Sequence, residues 1–202
     1  MKTLGIMSSG NIEKFRAIIE HFKTSEDVKI ICISDNLKSD IFNINKTDNL
    51  DTKYISPENA LQYFTNTNFN LVAINDYKSK LDTNIYSFAK FINLHPSLLP
   101  AFRGENALYR AFESGVKVSG VTIHTLTGTP DTEKILAQYP VLISNLTHFD
   151  EFQKMTDNLT DMIYPIVIEK TLDNKLFDFQ DLIDRSHSCS GSCGNHCSKC
   201  RG

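Results

Sequence analysis

The sequence predicts an α/β domain with a Rossmann-like, mostly parallel sheet flanked by helices. Three observations carry this. Short apolar runs of strand length recur along the chain, "KTLGIM", "VKIICIS", "NLVAIN" and "FINL", as expected of strands buried on both faces of a parallel sheet. Between them, apolar residues fall at helical spacing. The 202 residues suffice for one sizeable core and show no internal repeat, so the alternation reads as successive βαβ units.

Taken in order, "KTLGIM" is the first strand, followed by the turn-forming "SSGN" and a helix marked by Ile12, Phe15, Ile18, Ile19 and Phe22. Val28–Ser34 is the second strand, ended by Asp35-Asn36, and the polar residues 36–51 read as a surface connection. "TKYIS" is a short strand. Pro57 then opens a helix to about Phe64, with Ser56 as its cap. Asn70–Asn75 and Phe91–Leu94 are further buried strands, separated by a short helical stretch. Ala107–Ser114 is a helix stopped by Gly115, and "KVSGVTIHTL" is a strand with Thr122 and His124 on one face. After a loop containing Pro130 and Asp131, "KILAQYPVLI" continues as strand. An apolar stripe from Phe149 to Val167 makes Asp150–Lys170 a long amphipathic helix, with Pro165 expected to kink its last turn.

Composition narrows the function. A net charge of −3 and a pI near 6.1 provide no basic field, which argues against nucleic acid as a partner. No run approaches the ~18 apolar residues of a membrane span, and "MKTLGIMSSGNIEKF" meets charge too early for a signal peptide. The expectation is a cytoplasmic protein with no membrane partner, a monomer or homodimer, built as one domain over 1–184 and a Cys-rich tail over 185–202.

Ligands of such sheets bind beyond the carboxyl ends of the strands. Asn93 and His95 lie at such an end and share one side of their strand. By themselves they read as a turn: a His bonding a neighbouring backbone group and an Asn closing the loop. A third group alters that. Asp131 follows His124 by seven residues, so a loop can return its carboxylate across the strand ends. Asn, His and Asp together can bind a developing oxyanion, polarise a carbonyl and manage protons during acyl transfer. No Ser or Cys sits in a nucleophile elbow, which favours direct transfer to an amine over a covalent acyl-enzyme.

The stretch "FINLHPSLLPAFRGENALYRAFESGVKVSGVTIHTLTGTPDTEKILAQYPV" resembles the core of the folate-dependent formyltransferases, most of all their glycinamide ribonucleotide branch in purine biosynthesis. The resemblance rests on Asn-x-His-Pro-Ser-Leu-Leu-Pro and on the His and Asp seven residues apart, and extends over about the first 180 residues. It implies the formyltransferase fold, 10-formyltetrahydrofolate as cosubstrate and a small-molecule amine acceptor. Carried over, Asn93 donates to the formyl oxygen, His95 adds electrostatic stabilisation, Asp131 fixes geometry and helps move the proton, and His124 supports the Asp131 loop. Leu99–Pro100 is implied to be a cis peptide. Ser9, Gly10 and Asn11 fall at the acceptor's phosphate loop, and Tyr77 and Lys78 at the folate segment.

Several positions depart from the family pattern. Ile12, Glu13 and Lys14 stand where Gly-Ser-Asn is expected, and a carboxylate at Glu13 repels phosphate. Thr160-Asp161 replace Glu-His, "INDYKS" replaces Gly-Phe-Met-Arg-Ile-Leu, and Glu133 replaces a glycine. Two other readings therefore stay open: a 10-formyltetrahydrofolate hydrolase on the same residues, and a decayed formyltransferase-like domain whose tail binds metal or a partner. In that tail Cys189, Cys193, Cys197 and Cys200 are spaced C-x3-C-x3-C-x2-C, a set that can hold Zn²⁺ or an iron–sulfur cluster. The plainer reading is a thiol-rich terminus. Cys32, inside a strand, reads as core.

Overall fold

The computed structural model describes residues 1–127, 133–178 and 180. Seven strands form one sheet: β1 (Lys2–Met7), β2 (Val28–Ser34), β3 (Leu50–Tyr54), β4 (Leu71–Ile74), β5 (Phe91–His95), β6 (Val118–Leu126) and β7 (Ile135–Leu142). Among the described residues the α-helices that accompany them are α1 (Glu13–Phe22), α2 (Pro57–Asn66), α3 (Ala107–Glu113) and α4 (Phe149–Leu172). The spatial order is β3-β2-β1-β4-β5-β6-β7, parallel from β3 to β5, with β6 antiparallel to both β5 and β7. The chain thus reverses direction across the sheet between β1 and β4, the switch point where such folds open a crevice.

Alternation along the strands divides the core in two. On one face Leu4, Ile6, Cys32, Ala73 and Ile92 pack against the buried sides of α1 and α4. On the other, Met7, Ile33, Val72 and Phe91 pack with Phe64 of α2. Cys32 is fully buried, and burial pushes its thiol well above the ordinary value, which makes it an inert core group. Gly120 in β6 permits a close strand crossing: a Cβ there would lie 2.0 Å from the Tyr139 carbonyl oxygen.

Three local expectations need correction. The connection after β2 contains a 3₁₀ turn, Asp40–Asn43, anchored by the fully buried Ile41, and β3 begins at Leu50. A single apolar anchor in a polar segment leaves no periodicity to read. Ser56 does occupy the N-cap position of α2 with extended backbone, yet its side chain makes no capping bond. Helix α4 continues seven residues past the buried Pro165, to Leu172, so the proline does not lie in its last turn. Among the described residues no helix is long and apolar enough to cross a membrane.

Candidate active site

The carboxyl end of β5 faces β6 in antiparallel register, with Asn93 opposite His124 and His95 opposite Thr122. This register brings two sequence-predicted side chains into contact: Asn93 Nδ2 lies 3.2 Å from His124 Nε2. The other ring nitrogen of His124, Nδ1, is 3.1 Å from the Thr125 carbonyl and 3.3 Å from the Glu133 carboxylate. The Thr125 carbonyl accepts, which places the hydrogen on Nδ1 and leaves Nε2 to receive an Asn93 N–H, while the Glu133 carboxylate lies beside the same Nδ1 as an ion-pair neighbour.

His95 is held separately. Its Nε2 lies 3.1 Å from the carbonyl of Phe102, which in the neutral ring leaves Nδ1 as the acceptor. Phe102 is in the left-handed region at φ 53°, a costly conformation for an aromatic residue that turns this carbonyl into place. Arg110 of α3 donates to the same carbonyl at 2.9 Å, to the Glu105 carbonyl at 3.0 Å and to the Arg103 carbonyl, clamping the loop. Burial holds His95 below its ordinary 6.5, the neighbouring His124 ring and the Arg110 charge adding to the shift while the Phe102 carbonyl and the Glu133 carboxylate oppose it.

The loop between His95 and Ala101 is stitched to the next two strands. The fully buried Thr122 hydroxyl donates to the Ser97 carbonyl at 2.7 Å and accepts from Leu99 N–H at 3.0 Å and from Gln138 Nε2 at 3.0 Å. Gln138 also donates to the Leu99 carbonyl at 2.8 Å. Leu99–Pro100 is cis, as the resemblance implied. From α4, the fully buried Tyr164 donates to the carbonyl of Ile74 at 2.8 Å, with that of Ile92 at 3.4 Å, tying α4 to the end of β4 and to β5. Around these groups lies a cavity of about 550 Å³, lined by Asn93, His95, Leu99, Pro100, Arg103, Gly104, His124, Glu133 and Ile135. Its size and its mixed lining, apolar walls with a few converging polar groups, are those of a small-molecule site.

The switch-point crevice is organised differently. Ser9 N–H donates to the Asp76 carbonyl at 3.0 Å, and Ser9 Oγ accepts the Lys78 N–H at 2.8 Å. Gly10 N–H is bonded to Ser8 Oγ at 3.0 Å, and Ile12 N–H, at the start of α1, to the Asp40 carboxylate at 2.6 Å. Lys14 pairs with Asp157 at 3.1 Å. Asn11 is exposed beside them. Tyr77 turns inward: it packs on the second core cluster, and its buried hydroxyl has no hydrogen-bond partner among the described residues. Burial, then the nearby Asp35, pushes that hydroxyl above its ordinary value.

Asp131 lies outside the described residues, as do Cys189, Cys193, Cys197 and Cys200. Among the described residues no group of three His, Cys, Asp or Glu side chains is placed to hold a metal ion. Sequence reasoning passed over Gln138, Arg110 and Asp40. Gln138 alternates onto the same face as Thr122 only once the β6–β7 register is known, and the other two act through loops.

A family model of formyl transferases matches residues 2–168. The chain belongs to the formyl transferase family. It is 28% identical over 186 residues to the phosphoribosylglycinamide formyltransferase of Bacillus subtilis, covering 85% of this chain and 95% of that protein. It is also 30% identical over 112 residues to a formyltetrahydrofolate deformylase of Synechocystis, covering 55% of this chain and 39% of that protein. Among solved structures, the phosphoribosylglycinamide formyltransferase of Bacillus halodurans superposes with a TM-score of 0.76 at 25% identity, covering 88% of this chain and 100% of that one. This formyl transferase thus shares its fold over most of its length with enzymes acting on phosphoribosylglycinamide.

Proposed function

We propose that this formyl transferase moves a formyl group from 10-formyltetrahydrofolate to a primary amine. The observation that carries the reading is the convergence of Asn93, His95 and His124 on one cavity at the carboxyl end of β5 and the facing part of β6. In the reaction the amine nitrogen attacks the formyl carbon, and the carbonyl oxygen gains negative charge. An Asn93 N–H stabilises that oxygen. As the new C–N bond forms, the amine gives up a proton, the bond from the formyl carbon to the folate nitrogen breaks, and that nitrogen receives a proton.

His95, kept neutral near pH 7 by its burial, presents Nδ1 to this exchange while Nε2 is engaged by Phe102. Asp131 is assigned the proton-carrying role from its place seven residues beyond His124. The walls formed by Leu99, Pro100 and Ile135 suit the apolar flank of a folate ring. Glycinamide ribonucleotide is the first acceptor to test, because the relatives that match most of the chain are named for it.

Hydrolysis of the formyl donor is the second reading, and the deformylase relative favours it. Purified protein mixed with 10-formyltetrahydrofolate, with and without glycinamide ribonucleotide, separates the two when folate absorbance is followed. Turnover that depends on the amine supports transfer, and equal turnover in water alone supports hydrolysis. Absence of both turnover and donor binding would refute both.

A further inference from the structure

Glu133 sits just before β7, at a position where the family pattern has glycine, and its carboxylate lines the same cavity as Asn93, His95 and His124. The side chain is 41% exposed, whereas that of His124 is 7% exposed. A carboxylate here therefore remains hydrated on one side while reaching a nearly buried imidazole. Its distance to His124 Nδ1, 3.3 Å, compares with 3.2 Å from His124 Nε2 to Asn93 Nδ2. The three groups form a line: carboxylate, imidazole, amide.

That line has a definite polarity. A neutral imidazole carries one hydrogen, and a hydrogen on Nδ1 leaves a lone pair on Nε2. A lone pair selects the NH₂ group of Asn93. With the hydrogen on Nε2 instead, the ring selects the amide oxygen, and Asn93 turns over in its socket. The tautomer thus decides which end of the Asn93 amide is engaged by β6 and which is left for a ligand. The Thr125 carbonyl also faces Nδ1, at 3.1 Å, and Glu133 adds a full negative charge on the same side.

We propose that Glu133 is a positioning residue: it holds His124 in the Nδ1–H tautomer and so fixes the Asn93 amide in the cavity. The kinetic half of this proposal rests on the formyl-transfer reading, whereas the tautomer half does not. Two full-length variants test it. Glu133→Ala removes the carboxylate beside Nδ1 and leaves the Thr125 carbonyl there alone, and Glu133→Gln keeps a side-chain oxygen at the same place.

Nitrogen NMR of the ligand-free protein reads the His124 ring directly. Wild type and Glu133→Gln are expected to show an unprotonated Nε2, and Glu133→Ala a shift towards Nε2–H. Unchanged His124 signals in Glu133→Ala would overturn the proposal, because the Thr125 carbonyl would then suffice. With 10-formyltetrahydrofolate and glycinamide ribonucleotide, Glu133→Ala is expected to lower kcat about tenfold, with KM within about twofold, while Glu133→Gln stays near wild type. In an Asn93→Ala background the same substitution is expected to cost nothing further. Losses that multiply would show that Glu133 acts elsewhere. If wild type turns over no formyl donor, the functional reading fails, and the ring signals alone still decide between Glu133 and Thr125 as the group that sets the tautomer.

Discussion

At the carboxyl end of β5 and the stretch of β6 facing it, polar side chains line a cavity, whereas beyond β1 and β4 the polar groups, mostly backbone N–H, bond to one another. The carbonyls of Phe102 and Thr125 engage His95 and His124, Asn93 and His124 contact each other, and all three side chains line a cavity of about 550 Å³. Ser9, Gly10, Ile12 and Lys78 instead satisfy, or are satisfied by, Asp76, Ser8, Asp40 and Ser9. Each buried or semi-buried backbone donor needs a partner, and a donor supplied internally is not offered to a ligand. The chain therefore leaves polar groups at the β5 edge facing a cavity and engages several donors of the neighbouring crevice internally.

The strongest way to break this contrast is Asn93→Ala. If the β5 edge carries the chemistry, loss of the amide donor is expected to lower kcat about 100-fold or more, the usual cost of removing one oxyanion donor. The far-UV spectrum and melting temperature should stay near wild type, since Asn93 is only half-buried. A rate within threefold of wild type would move the chemistry away from this edge.

Next in size is Thr122→Val. The substitution keeps the shape of a fully buried side chain but leaves the Ser97 carbonyl, Leu99 N–H and Gln138 amide short of a partner. Unsatisfied buried groups of this kind cost about 1–3 kcal/mol, readable by denaturant unfolding. Because those groups shape the loop after His95, kcat should fall together with stability.

A titration separates His95 from both. Its folded value is depressed by burial, so the folded state favours the neutral ring and the unfolded state binds the extra proton first. The resulting stability is fully present above the ordinary value of 6.5 and is lost as the pH falls from there through the depressed value. His95→Gln should flatten that part of the stability–pH curve relative to wild type. An unchanged slope would place the proton uptake on another group.

How much of this was legible in the chain differs between the two regions. The β5 edge was readable because alternation fixes the shared side of Asn93 and His95, and a contiguous motif spans both. The strands were equally plain: "VKIICIS" is β2 from end to end. The α1 entrance was readable only as a departure from pattern, since Glu13 and Ile12 signalled that something had changed without showing what filled the place. The answer is Asp40, 28 residues away from Ile12 in a segment whose polar composition reads as plain loop. Cross-chain bonds from short irregular turns have no periodicity, and neither does the Arg110 clamp on Phe102.

The smallest expected effect is also the one that tests the closed crevice most directly. Asp40→Ala removes the carboxylate that accepts the Ile12 N–H at 2.6 Å, and loss of one such exposed hydrogen bond costs about 1 kcal/mol. Thermal unfolding should show a drop of a few degrees. The same carboxylate also places negative charge where the amino terminus of α1 would otherwise attract an anion. Wild type should therefore gain little from a phosphate on its acceptor: the KM values of glycinamide ribonucleotide and of its dephosphorylated riboside are expected to lie within about tenfold, or 1.4 kcal/mol, of each other. In Asp40→Ala the vacated N–H and the lost charge should widen that gap in favour of the ribonucleotide. A wild-type preference for the phosphate well beyond tenfold would show that the crevice opens to it despite Asp40, and the contrast between the two edges would then fail.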